Sequence, residues 1–352
     1  MIDELHACTR ATLAFDLARL AANMRRVAEA ARAAGIRPLF AMKSFPHPRA
    51  IALAAEHLDG FDVASPAELA AVPKHAIVAG PETIVSIADP TGAAIADSRG
   101  ARVIVACETI DQVRAAPPGA EIAIRISASI TGLDPAIGAV LDGSGHRRSR
   151  FGLHDRDAVA ALARAASGRR VGLHIHHGPV VATSGERFVA TVHAAMQLAE
   201  LEPAFIDLGG AWHGIADLAA AFVAIRAAVP STIELLAEPG RAYASGAGFA
   251  CGIVQAARSL GDRELVVVDL SRACHLRWST FELVAKAPHP GAGRRVLVVG
   301  PTCYEEDVLG EWTVDPAAIA QRVIVEGISG YALAWNTGFG GVPPADVIVR
   351  EA

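Results

Sequence analysis

The stretch RPLFAMKSFPHP, residues 37–48, sets a lysine at the end of an apolar run, Leu39-Phe40-Ala41-Met42. A buried ammonium is costly unless it is paired or discharged. Desolvation also lowers a lysine's pKa and makes the amine a nucleophile, whereas an ordinary strand-end lysine snorkels to water. The surroundings of Lys43 decide between these. Before it, Asp16 can cap a helix whose apolar face is Leu17, Leu20, Met24, Val27 and Ala31, at three-and-four spacing. After it, short apolar runs alternate with helical stretches. With the first run they occupy residues 38–43, 61–65, 75–80, 102–107, 121–127, 171–176, 205–210 and 233–238. Within "SPAE" at 65–68, Ser65 precedes Glu68 by three and Pro66 takes the first helical position, a capping-box start.

Eight such units in about 230 residues suggest a closed parallel (β/α)8 barrel, although alternation alone also allows a doubly wound open sheet. The polar residues favour the barrel. Lys43, Arg125, His176, the Gly209-Gly210 pair and Glu238 all stand at or just past the C-terminal ends of these runs, where a barrel builds its active site. Beyond about residue 245, "ELVVVDLS", "RRVLVVG", "AQRVIVEGI" and "YALAWN" read as β-runs without long helices between them. The expected division is a barrel over 1–241 and a C-terminal β-sandwich or barrel-like domain over 242–352, with residues 1–11 able to pack on the latter.

Of the 352 residues, 52% are hydrophobic and 20% charged, enough for a large core and too apolar for disorder. A net charge of −5 with interspersed signs argues against nucleic-acid or membrane-surface binding, and no apolar run approaches a membrane span. Five scattered cysteines without Cys-x-x-Cys spacing suit a reducing cytoplasm.

In "LHIHHG" at 173–178, alternation puts His174 and His176 on the same side of a strand. They could bind a divalent metal, one could stack on a flat cofactor ring, or they could be hydrogen-bonded core residues. Further histidines fall at no ligand spacing, so no metal is expected. "IDLGGAWHG" at 206–214 is a strand running into glycines, whose bare backbone can cradle a phosphate. "AEPGR" at 237–241 sets a carboxylate at a strand end and an arginine after a turn; a structural Glu–Arg pair is the alternative. "GPTCYEEDVLG" at 300–310 puts Cys303 on a turn among acids. A phosphate, a flat ring, an aldehyde for the lysine and an acid for a ring nitrogen together describe pyridoxal phosphate.

These motifs, in the order "FAMKSF", "GFDVASPAEL", "RIS", "SRFGL", "LHIHHG", "DLGGAWHG", "EPGR", "GPTC" and "GYALAWNTGFGG", resemble the alanine-racemase-fold decarboxylases that use pyridoxal phosphate. These are the ornithine, arginine, diaminopimelate and carboxynorspermidine decarboxylases. The resemblance implies that Lys43 attaches the cofactor and that His176 stacks on its ring. Gly209, Gly210, Gly240, Arg241 and Tyr331 would surround the phosphate. Arg125 would lie near the ring hydroxyl, with Asp62 as the acid of the second strand. It also implies that Glu238 holds the ring nitrogen protonated, and that Cys303 enters the site from the other subunit of a homodimer as a general acid. Racemases of this fold carry an arginine at the ring nitrogen, so Glu238 points to decarboxylation. An amino-acid racemase, or a metal-dependent barrel hydrolase using His174 and His176, are the alternatives.

Three departures from the family pattern stand out. Pro179 replaces a phosphate-binding serine, with Thr183 or Ser184 as substitutes, and Ala211 replaces the third glycine. Tyr304 stands where decarboxylases of simple basic amino acids have an aspartate for the distal amine. "DLSRACHLRWST" at 269–280 is closer to the carboxynorspermidine branch, while "GFDVAS" and "EPGR" resemble the diaminopimelate branch. The substrate is therefore expected to be a modified or conjugated diamino acid. His275, Arg277, Tyr304, Glu305 and Asp307, with Glu306, are the candidates for recognising it.

Overall fold

The computed structural model describes residues 1–73, 83–98, 100–127, 140–141, 147–148, 151–176, 185–210, 212–284 and 293–351. Contacts divide it into two compact units. One comprises Met1–Leu20, Ser44–His47 and Ala244–Ala352; the other comprises Ala21–Lys43 and Pro48–Tyr243.

The larger unit is a closed barrel of eight parallel strands. In barrel order they are Ile36–Ala41, Gly60–Val63, Ile84–Ile87, Arg102–Cys107, Glu121–Ser127, Val171–His176, Phe205–Leu208 and Glu234–Ala237. The third strand corrects the sequence reading, which had chosen residues 75–80. Those residues lie outside the described part of the chain, and the ladder from Gly60–Val63 runs instead to Ile84–Ile87. Two apolar runs stand close together there, and pairing rather than composition selects between them.

Leu39, Ile84, Ile104, Ala123, Phe205 and Leu236 pack together as one apolar cluster. Glycines complete the level on the remaining two strands, because a Cβ at Gly60 would meet the Ile84 carbonyl oxygen at 2.1 Å, and one at Gly172 the Phe205 ring at 2.6 Å. Side chains repeat on one face every second residue. Two positions further along each strand the same face therefore carries Ala41, Asp62, Ser86, Ala106, Arg125, His174, Asp207 and Glu238. One step of the pleat turns an apolar floor into a polar layer.

At the opposite, N-terminal end of the strands, Arg102 bridges Glu121 (2.8 Å) and Glu234 (2.7 Å), and Arg170 bridges the same two carboxylates at 2.6 and 2.9 Å. In barrels this face serves stability. The helix after strand Thr12–Asp16 runs over Leu17–Ala33, started by Asp16 Oδ1 accepting the Arg19 N–H at 2.9 Å. Its expected apolar face is buried throughout. Ser65 caps Pro66–Ala71 as expected, but Glu68 accepts the Ala64 N–H (2.7 Å) rather than that of Ser65, one residue off a strict capping box.

The second unit is an eight-stranded mixed sheet. Its order is Glu282–Leu283, Arg322–Glu326, Gly248–Leu260, Arg263–Val268, Arg294–Val299 and Val308–Val314, with Thr12–Asp16 joining Gly248–Leu260 to Asp346–Arg350. The strand Gly248–Leu260 shifts register between Val254 and Ala256, a bulge that lets one long strand serve two sets of partners. "YALAWN" is a correction. Tyr331–Ala334 is a single helical turn, since Ala-Leu-Ala favours helix over strand. No helix among the described residues is long and apolar enough to cross a membrane.

Candidate active site

The strand Ile36–Ala41 ends before Lys43, which lies on a one-turn 3-10 helix, Met42–Ser44. Its side chain is 37% exposed and paired with Asp62 at the end of the neighbouring strand. Lys43 is thus half-buried and compensated. Burial pushes the Asp62 carboxyl up, with Glu238 adding to it and Lys43 opposing.

Glu238 follows the last barrel strand and is buried. Burial alone would raise its pKa, but His174, Lys43 and His176 outweigh that and hold it at about 2. His174 Nε2 stands 3.6 Å from Glu238 Oε1, a contact too long for a hydrogen bond. Among the described residues, Glu238 Oε1 has no hydrogen-bond partner although it is fully buried. A buried carboxylate oxygen without a donor is rare and calls for a ligand.

His176 ends the sixth strand. Burial, with Lys43 and Arg125, pushes its imidazole down to about 3, so the ring is neutral at ordinary pH. Gly209 and Gly210 make room for it. A Cβ at either would lie 2.8 or 2.7 Å from ring atoms of His176. The Gly209 N–H donates to Ile175 O and the Gly240 N–H to Glu238 O, both at 2.8 Å. These two glycines therefore contribute space and turn geometry, with their own N–H groups engaged inside the chain. Trp212 underlies the loop, its indole N–H donating to Gly209 O (3.0 Å) and its ring stacked on Phe188. Arg241 sits on the turn Gly240–Tyr243, and burial together with Arg241 pushes His213 down to about 4. Arg125 lies 3.7 Å from Glu108 Oε1 and over the Phe151 ring.

The His174–His176 pair of the alternative metal reading is not the grouping found among the described residues. The metal-type cluster of the described residues is His174, Asp207 and Glu238, with ligand atoms within 4.8 Å of one another. Asp207 and its hydrogen-bond donor Ser86 (2.8 Å) escaped the sequence reading. The signal was available, since both stand two residues beyond apolar inward positions of their strands.

In the β unit, Tyr331 starts a helical turn and meets Trp278 edge to face. Cys303 is exposed with a free thiol. Tyr304 is exposed and donates its hydroxyl to Glu306 Oε2 at 2.7 Å, and Glu305 is exposed too. Arg277 lies over the Trp335 ring at 4.7 Å. Two substrate candidates lie inside the unit. His275 is fully buried, with Nδ1 accepting the Ser271 N–H and Nε2 facing Pro343 O. Asp307 is buried, accepting from Ser271, Arg272 and Thr302. Both are saturated inside the unit and position loops. Pro179, Thr183, Ser184 and Ala211 lie outside the described residues.

A barrel whose C-terminal end gathers an acid-paired lysine, a neutral imidazole and a buried carboxylate with one oxygen lacking a donor fits a pyridoxal-phosphate enzyme. The fit rests on Glu238 Oε1, which lacks the donor that a protonated pyridine nitrogen supplies. Residues 17–245 match the pyridoxal binding domain of the pyridoxal-dependent decarboxylases, and the chain belongs to that family. It is an amino-acid decarboxylase that uses pyridoxal phosphate. Among solved structures it is similar to lysine/ornithine decarboxylase from Vibrio vulnificus complexed with cadaverine, at 19% identity and TM-score 0.75, covering 100% of this chain and 97% of that one. It is also similar to the arginine decarboxylase of Paramecium bursaria Chlorella virus bound to agmatine, at 17% and 0.75, covering 99% and 98%. Diaminopimelate decarboxylase from Helicobacter pylori complexed with L-lysine matches at 18% and 0.75, covering 100% and 94%. At these identities the likeness is one of fold. No curated protein sequence matches the chain.

Proposed function

We propose that this decarboxylase removes the α-carboxylate of a modified or conjugated diamino acid, working in the cytoplasm as a homodimer with shared active sites. The observation that carries the substrate reading is Tyr304. The solved relatives hold cadaverine, agmatine or L-lysine, each with a bare cationic end. Here the residue after Cys303 offers a phenol already engaged with Glu306, under the field of Arg277, rather than a free carboxylate. A distal ammonium finds little there, whereas a substrate whose far end is conjugated or itself acidic avoids leaving a cation unpaired. Free thiols at all five cysteines support the cytoplasmic location.

Pyridoxal phosphate, attached through Lys43, supplies a ring that accepts the electron pair left as carbon dioxide departs. The chain's own residues prepare this. Asp62 holds the Lys43 amine in place, and Glu238 keeps a proton on the ring nitrogen. Neutral His176 would cover a ring face without adding charge, Arg241 would hold the phosphate, and Cys303 would supply a proton as general acid. The racemase and metal-hydrolase alternatives find no support in the family match or in the similar structures named above, which are decarboxylases.

The test couples spectroscopy to a substrate panel. The purified protein should show a near-visible absorbance band that borohydride bleaches and Lys43→Ala lacks. Carbon dioxide release should favour carboxyalkyl or otherwise conjugated diamino acids at least tenfold over ornithine, lysine and arginine. One of those three proving the best substrate would sink the substrate reading.

A further inference from the structure

The sixth and seventh barrel strands pair Asp207 directly opposite His174. His174, Asp207 and Glu238 are all buried, and each has a side-chain atom without a hydrogen-bond partner: His174 Nδ1, Asp207 Oδ1 and Glu238 Oε1. Two like-signed groups in this space cannot both stay ionised without a cation. His174 faces Glu238 at 3.6 Å, whereas among the described residues Asp207 receives only the neutral Ser86 hydroxyl.

We infer that His174 is a positioning residue for Glu238, holding its carboxylate ready for the cofactor's ring nitrogen, while Asp207 beside it stays a neutral acid. The inference rests on Glu238 as the ring-nitrogen partner and adds what keeps it in that state. The other groups acting on Glu238 do not replace His174. Asp62 opposes its charge, His176 is neutral at ordinary pH, and Lys43 is committed to holding the cofactor. Burial and Glu238 together push Asp207 well up, in keeping with a proton retained there.

The experiment loads the holoenzyme with pyridoxal phosphate carrying 15N in its ring and follows the nitrogen shift against pH. Wild type is compared with His174→Gln, Asp207→Asn and Glu238→Gln, with circular dichroism confirming the fold. His174→Gln should lower the midpoint of ring-nitrogen protonation by about one pH unit, a tenfold change. Asp207→Asn should leave it in place. Glu238→Gln should give the unprotonated shift throughout. A His174→Gln midpoint equal to wild type, with Glu238→Gln shifted, overturns the inference and leaves the role of Glu238 standing. An unshifted Glu238→Gln removes that role itself. Should His174→Gln fail to fold, the wild-type protein decides by 13C carboxyl spectroscopy. Glu238 still ionised at about pH 4 supports the inference, and a midpoint at or above the ordinary glutamate value refutes it.

Discussion

Asp207 and Glu238 are the same functional group in one barrel layer, yet their surroundings push them in opposite directions. Asp207 is buried against a serine hydroxyl and a second carboxylate, and its pKa rises well above the usual range. A carboxyl raised on folding weakens the folded state as pH climbs above its unfolded value near 3.9. Asparagine can still accept the Ser86 hydroxyl and carries no proton to lose. Asp207→Asn should therefore stabilise the protein, and by more at pH 8 than at pH 5, as read from urea midpoints. A loss of stability at both pH values would show that Asp207 is ionised and paired. Lys43 answers the question raised by its position: it is neither free nor sealed away, but half-buried against an acid.

Among the elements, the barrel strands divide their chemistry by end. Their C-terminal residues form the polar layer, and their first residues lock the base through Arg102, Arg170, Glu121 and Glu234. Burial would raise Glu234, but hydrogen bonds from Arg102 and Arg170 win and hold it at about 2. A depressed carboxyl contributes stability that is complete above its unfolded pKa and is lost as pH falls through the folded one. Glu234→Gln should thus cost on the order of 2 kcal/mol at pH 7, and the deficit should shrink steadily between about pH 4.5 and pH 2. Urea unfolding of both proteins across that range checks it. An unchanged difference would locate the stabilisation in packing instead.

For the whole molecule, the proposed dimer makes a prediction that a monomer does not share. If Cys303 serves the partner's site, Lys43→Ala and Cys303→Ala proteins are each inactive alone. Mixed under exchange, half of the dimers are hybrids with one intact site of two, restoring about a quarter of wild-type activity. No recovery, with exchange verified by mass, would place Lys43 and Cys303 of one site on a single chain.

Local chemistry determined a good deal of this. The three-and-four spacing of Leu17 to Ala31, the caps at Asp16 and Ser65, and seven of the eight barrel strands were legible because each depends on residues close in sequence. So were the places of Lys43, His176 and Glu238 at the ends of strands, since a polar residue there stands out against its apolar neighbours. Tertiary structure alone decided the rest. Strand pairing chose Ile84–Ile87 over residues 75–80. Packing buried His275 and Asp307 and hydrogen-bonded both to loops of the β unit. Pairing of three neighbouring strands brought His174, Asp207 and Glu238 within 4.8 Å of one another. The reason is physical: a carboxyl's protonation and partners depend on what lies across space from it, and those neighbours here are separated by tens of residues along the chain.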